Sequence, residues 1–315
     1  MKAIVLGSDD RFALATTETP TPGPGEVLIR VQYAGLQWGD VLAAHGHFPL
    51  PRPFVPGFEA AGNIVAVGKG VDAAHIGRPV TALTASGAFA EFVTAPAVLA
   101  FPAEDLDPRT AAAFGWATPT AYDLINTVTR VRPGDRVLIH AALGGVGSLA
   151  AQFARGAGAA RVVGVGGGAE QAYNAPDFGY DHLISRADFP DALADEQFDV
   201  ILDPVGGPAR LANLDRLAPH GRLAVYGNMA TFEPVQINAN DLLMNGTSIL
   251  AYNSNLLSRT HPERLAAGAA EALRLLADRQ IRIDISAEYE LADVPAAIQR
   301  LAAGGTRGKA VIRIG

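Results

Sequence analysis

Cysteine is absent from the 315-residue chain. Disulfides, thiol nucleophiles, iron–sulfur clusters and thiolate zinc sites are therefore excluded. Long apolar runs are missing too. Nowhere do about 18 consecutive apolar residues occur, so no segment reads as a membrane span and no membrane partner is expected. Charge is sparse, at 18% of residues, and its net value of −7 disfavours a nucleic-acid partner. The N-terminus, MKAIVLGSDDRF, reaches Asp9 and Asp10 after one short apolar run. It lacks the layout of a signal peptide, so the expected location is the cytoplasm. The histidines are scattered at 45, 47, 75, 140, 182, 220 and 261. Only His45 and His47, in HGH, come close together, and no HxxxH pair exists, so no metal is expected.

What remains is a 49% hydrophobic chain with 34 glycines, enough for more than one buried core. The N-terminal third reads as β-rich. EVLIRVQYAG (26–35), AAGNIVAVG (60–68), RPVTAL (78–83) and GAFAEFVTA (87–95) are short strand-like runs. Gly and Pro clusters punctuate them, and the proline-rich stretch 49–56 reads as a non-helical loop. From about Thr118 the rhythm becomes strand, helix, strand, which predicts a doubly wound parallel sheet. A late amphipathic helix is expected over 262–281, then VPAAIQRLAAGG and a closing strand, KAVIRIG.

The sharpest local signal is HAALGGVGSLAAQFARGAGA, from His140 to Ala159. It follows the strand-like DRVLIH and opens a helix. Ala142, Gly144, Gly145, Val146 and Gly147 then form a GxGxxG pattern with Ala in first place. Ala142 allows the tight turn out of the strand, Gly144 admits a pyrophosphate close to the backbone, and Gly147 lets the helix pack. The helix N-terminus offers N–H donors to phosphate. An NAD site also wants an acid about 20 residues on, for the ribose 2′-OH. Residues 164–169, with Gly167 and Gly168, carry none, and Glu170 comes late. A small neutral tip leaves room for a 2′-phosphate, so NADPH is expected over NADH, with Arg186 as its candidate cation.

The chain resembles the medium-chain dehydrogenase/reductase superfamily, in its zinc-independent quinone oxidoreductase and enoyl reductase branch. HAALGGVGSLAAQFAR resembles the AAxGGVG signature. VQYAGLQWGDVLAAHGHFP, VPGFEAAGNIVAVGKGV, FGWATPTAYDLI and GKAVIRIG match further motifs in order along the whole chain. The resemblance implies an α/β fold of two domains. A GroES-like β-rich substrate domain would span 1–119 and 260–315, and a Rossmann domain 120–259, with a cleft between them and a homodimer built through the edge strand TSILAYN (247–253). Zinc-dependent members place Cys at Gln37 and His at Phe58, so the resemblance implies a metal-free site with Glu59 as a buried structural acid.

The resemblance also implies cofactor contacts at Thr120, Asp203, Val205, Tyr226, Gly227, Asn228 and Tyr252. On the substrate side Trp38, Leu42, Phe48 and Trp116 would line an apolar pocket. Its polar candidates are Gln37, Asp40, His45 and His47, and no familiar proton donor survives. The expected reaction is NADPH-dependent hydride transfer to a small molecule, a quinone or the activated C=C bond of an α,β-unsaturated carbonyl compound, such as a biosynthetic intermediate. The alternatives are an enoyl-thioester reductase and a non-catalytic NADP-binding relative.

Overall fold

The structure, a computed structural model, describes residues 1–48, 50–167, 175–304 and 306–315. The chain divides into two compact units, one of Met1–Pro119 with Ser258–Gly315 and one of Thr120–Leu257.

The first unit begins with a two-stranded antiparallel ladder, β1 (Lys2–Leu6) on β2 (Phe12–Thr16). Then follow β3 (Glu26–Leu36), α1 (Trp38–Ala44), β4 (Glu59–Val67), β5 (Pro79–Leu83), β6 (Phe92–Pro96), β7 (Ala100–Pro102) and α2 (Pro108–Phe114). β3 is long because its alternating residues Val27, Ile29 and Val31 reach the core while Arg30 and Gln32 face out. It pairs antiparallel with both β4 and β6. Asp107 stops α2 from fraying by accepting the Thr110 N–H at 3.0 Å. The stretch 50–56 is non-helical.

The second unit is reached along α3 (Ala117–Asp123), which widens into a π turn over Leu124–Val128. Its elements are β8 (Arg136–His140), α4 (Gly145–Gly156), β9 (Arg161–Gly166), β10 (His182–Ser185), β11 (Phe198–Asp203), α5 (Gly207–Asp215), β12 (Leu217–Val225), α6 (Ala239–Asn245) and β13 (Ser248–Ala251). The six strands form one parallel sheet in the order β10-β9-β8-β11-β12-β13. A parallel strand covered on both faces is apolar throughout, as Val137-Leu138-Ile139 and Val200-Ile201-Leu202 are, all fully buried. The chain winds outward from β8 to β10, then returns to start again at β11 beside β8. The reversal between β8 and β11 opens a crevice at their C-terminal ends, where ligands of such sheets bind.

The chain then passes through α7 (Ser254–Thr260) into α8 (Pro262–Ala277), β14 (Ile285–Glu290), α9 (Val294–Ala302) and β15 (Lys309–Arg313). β15 pairs antiparallel with β3, Ala310 opposite Leu36, and β14 extends the same sheet. The C-terminal segment therefore completes the first unit's core, where Val294, Ala297, Ile298 and Ile312 pack with Ile29 and Ile64. No helix among the described residues is long and apolar enough to cross a membrane.

Candidate functional site

At the C-terminal end of β8 the chain turns sharply. Ala141 takes a left-handed φ of 51°, and Gly144 folds its N–H back onto the Ala141 carbonyl at 2.9 Å. Gly144 caps α4, so the N–H groups of Gly145, Val146 and Gly147 have no carbonyl four residues behind them to pair with. Gly147 is required by space. A β-carbon there would lie 2.6 Å from the Ala142 carbonyl oxygen and closer still to that of Ala141. At Gly144 the same β-carbon would stand 3.2 Å from the Ala141 oxygen. The loop is held from below by a residue the sequence does not flag. The buried Tyr180 hydroxyl lies 2.8 Å from both the Ala142 and Gly147 carbonyl oxygens. Beneath the loop, buried His140 pairs with Asn213 at 2.7 Å, and burial holds its imidazole below the usual range, in the neutral form.

At the tip of β9, a β-carbon on Gly167 would meet none of the described residues within 4 Å. Gly168 and Glu170 lie outside the described residues. Arg186 follows β10 directly, and its N–H donates to the Gly166 carbonyl at 2.6 Å, which fixes it beside that tip. The Rossmann unit holds nine arginines and no lysine. Arg136, Arg155, Arg161, Arg210 and Arg222 are committed to carboxylates. The exposed Arg186 makes no ion pair among the described residues and stands at the strand C-termini.

Asp203, at the end of β11, is already engaged within the chain. Its carboxylate is wholly buried and fully used by the chain. One oxygen accepts the N–H groups of Val205 (2.7 Å) and Gly206 (2.9 Å), and the other accepts Arg210 Nε (2.7 Å). Arg210 also donates to the Gly227 carbonyl at 2.7 Å and the Asn228 side chain at 3.1 Å. Asp203 therefore positions the loops after β11 and β12. Arg210 is the clamp that the sequence reading missed. Asn228 is exposed, while Val205, Tyr226 and Gly227 are half-buried. Burial, reinforced by the Asp203 charge, pushes the Tyr226 phenol up, so it remains protonated. Tyr252 donates its hydroxyl to Asp123 at 2.7 Å. Thr120 is nearly buried on α3.

In the first unit, Asp40 and Trp116 are both engaged within the chain. Asp40 is 1% exposed and accepts the Gln37 N–H at 2.9 Å, closing the first turn of α1. Burial pushes its carboxyl up to about 8, with the nearby Glu59 adding to the shift. Trp116 donates its indole N–H to the Phe58 carbonyl at 2.7 Å and its backbone N–H to Glu59 at 2.7 Å, so it is a wall of the core. Glu59 also pairs with Lys309, whose ammonium reaches the Leu36 carbonyl at 2.9 Å; both side chains are buried. Trp38, Leu42, Gln37 and Phe48 are half-buried, and Phe48 packs edge-on against Phe58 with centroids 5.7 Å apart. His45 and His47 are exposed, and His45 Nδ1 donates to the Val41 carbonyl at 2.8 Å. Among the described residues no group of three or more His, Asp or Glu is placed to hold a metal ion.

Asp40 makes stability depend on pH. A carboxyl raised from about 4 in the unfolded chain to about 8 when folded keeps its proton longer in the native state. Its contribution is therefore complete below pH 4 and is lost as pH rises toward 8. Asp40→Asn keeps an acceptor for the Gln37 N–H without the charge. It is expected to raise the melting temperature at pH 8 and to change it little at pH 4, as scanning calorimetry at the two pH values would show.

Comparison with known proteins adds three findings. Residues 23–105 match the alcohol dehydrogenase GroES-like domain family, and residues 145–271 match the zinc-binding dehydrogenase family. The chain is 32% identical over 317 residues to a mycocerosic acid synthase-like polyketide synthase of Mycolicibacterium smegmatis. That match takes in 98% of this chain but spans only 15% of the relative. Among solved structures, a mycobacterial quinone oxidoreductase superposes with a TM-score of 0.87 at 31% identity, over 99% of both chains. A mycobacterial structure in complex with NADPH does so with a TM-score of 0.90, also at 31% identity and 99% of both chains.

Proposed function

Because this chain belongs to the medium-chain dehydrogenase/reductase superfamily, in its quinone oxidoreductase-like branch, we propose that it is an NADPH-dependent reductase of quinones or of activated C=C bonds in α,β-unsaturated carbonyl compounds. The observation that carries this reading is the junction after β8, where three unpaired N–H groups and a space-limited glycine open onto the crevice between β8 and β11. Such a cradle fits a pyrophosphate. The residues of the β9 tip fit a 2′-phosphate, since Gly164 to Gly167 bring no carboxylate and Arg186 brings a free cation. The similarity to a structure complexed with NADPH supports the same cofactor.

When bound, NADPH supplies the hydride. The chain's own work is binding and orientation. Gly145, Val146 and Gly147 donate to the pyrophosphate, Arg186 to the 2′-phosphate. Arg210 and Asp203 fix the loops bearing Val205, Gly227 and Asn228, and Thr120 faces the nicotinamide. Trp38, Leu42 and Phe48 present apolar surface suited to a flat substrate. The unpaired edge of β13 takes a second copy of the chain, covering the exposed Leu243 and Met244 of neighbouring α6.

Arg186→Ala tests the cofactor assignment. Loss of one charge-assisted phosphate contact is expected to raise the Kd for NADPH by about 10- to 100-fold and to leave NADH unchanged. Fluorescence titration with each nucleotide reads both. Equal loss for the two would place the 2′-phosphate elsewhere.

A further inference from the structure

The outermost strand of the Rossmann sheet is tied directly to the helix that carries Thr120. β13 hydrogen-bonds to β12 on one side only. Tyr252 leaves its end, continues the ladder through its N–H to the Val225 carbonyl at 2.9 Å, and sends its hydroxyl to Asp123 Oδ2 at 2.7 Å. Asp123 is 4% exposed and closes α3, one turn after Thr120. The helix then opens into the π turn, where Thr129 bonds back to the Leu124 carbonyl through its N–H (3.0 Å) and its hydroxyl (2.6 Å). A π turn is marginal by itself and recurs at functional sites. Here it is pinned on both sides: by Thr129 after it, and by the Asp123–Tyr252 bond before it. On another face of α3, Tyr122 packs edge-on against Phe153 of α4, with centroids 5.5 Å apart. The end of α3 is thus tied to the outermost strand by a part-buried phenol–carboxylate bond that spans 129 positions of sequence. Burial, reinforced by the Asp123 charge, keeps the phenol protonated, so Tyr252 remains the donor.

We propose that Tyr252 and Asp123 are positioning residues that set the orientation of Thr120 toward the nicotinamide and so couple the sheet's outermost strand to hydride transfer. This rests on the reading of Thr120 as nicotinamide-facing given above. Neither residue touches the reacting atoms. Their loss should disturb how the nicotinamide is held, while the pyrophosphate cradle of α4 stays as it was.

The test is Tyr252→Phe, which removes one oxygen and keeps the ring. Bound NADPH is followed by its own fluorescence, which senses the nicotinamide's surroundings, alongside the Kd and the rate of NADPH oxidation by 1,4-naphthoquinone. The expected result is a Kd within about twofold of the parent, an altered emission of the bound nicotinamide, and hydride transfer slowed about tenfold, the equivalent of one lost charge-assisted hydrogen bond. Asp123→Ala should reproduce the change, the double variant should add nothing to it, and Asp123→Asn, which keeps an acceptor, should be milder. Nicotinamide emission in Tyr252→Phe identical to the parent's would overturn the coupling while leaving the cofactor assignment intact. A parent protein that binds no NADPH would instead overturn the cofactor assignment, and the coupling with it.

Discussion

Gly147→Ala is expected to weaken NADPH binding by about a hundredfold or more. The added methyl would meet two backbone carbonyl oxygens, those of Ala141 and Ala142, and neither can swing aside as a side chain would. The turn must open or α4 must shift along its axis. Either movement misaims the N–H groups of Gly145 and Val146, and two such phosphate bonds together are worth about 3 kcal/mol, or roughly two decades in Kd. Gly144→Ala is the control for the turn's stability, not for binding, because its methyl would stand where the pyrophosphate approaches the backbone. Its β-carbon would stand at 3.2 Å from a single oxygen, a contact relieved by a shift of a few tenths of an ångström. Its effect on melting temperature should be much the smaller of the two. Nucleotide titration and thermal denaturation of both variants measure the contrast. If Gly147→Ala bound NADPH like the parent, the loop after β8 would not be the pyrophosphate site.

Lys309→Met is expected to cost about 3–5 kcal/mol of stability, because it leaves Glu59 buried without its counter-charge. The Glu59–Lys309 pair joins β4, from the N-terminal part of the chain, to β15 at its end, with the Trp116 N–H as a third partner. Gly35 and Gly115 lack side chains because any β-carbon there would run into the Glu59 carboxylate. Replacing both charges, as in Lys309→Met with Glu59→Leu, should restore much of the loss, since an apolar pair removes the uncompensated charge as well as the bond. Denaturant unfolding of the three proteins reads the difference. A single Lys309→Met variant as stable as the parent would mean that Glu59 is neutral or solvated in the native chain.

The sequence made the Rossmann half legible because its signals are local. Strand, glycine turn and helix lie within 21 residues, Arg136 to Gly156, and apolar runs such as FDVILD announce strands covered on both faces. β2, β7 and β14 escaped notice. β7 is three residues long, and ISAEYE in β14 alternates between half-buried and exposed positions with no fully buried residue. The site itself was legible in residue type but not in what each polar group is already doing. Asp203, Asp40, Trp116 and Tyr252 all have the right chemistry for a pocket. In the structure each is engaged by a partner: Arg210, the Gln37 N–H, the Phe58 carbonyl and Asp123, of which only the Gln37 N–H sits at a capping spacing that the sequence displays. Tyr180 shows the converse. It supports the glycine loop from 33 residues beyond Gly147, within a stretch that carries no motif. Arg186 stands as a candidate because the absence of an acid at the β9 tip directs attention to the nearest cation.

The most direct test of the whole account is the loss of reduced-nicotinamide absorbance, followed with NADPH and with NADH in turn, against a panel of quinones, enones and enoyl thioesters. The account predicts that NADPH is consumed with a quinone or an α,β-unsaturated carbonyl compound and that NADH serves poorly. Preference for NADH, or NADPH bound tightly yet never oxidised by any acceptor in the panel, would contradict it.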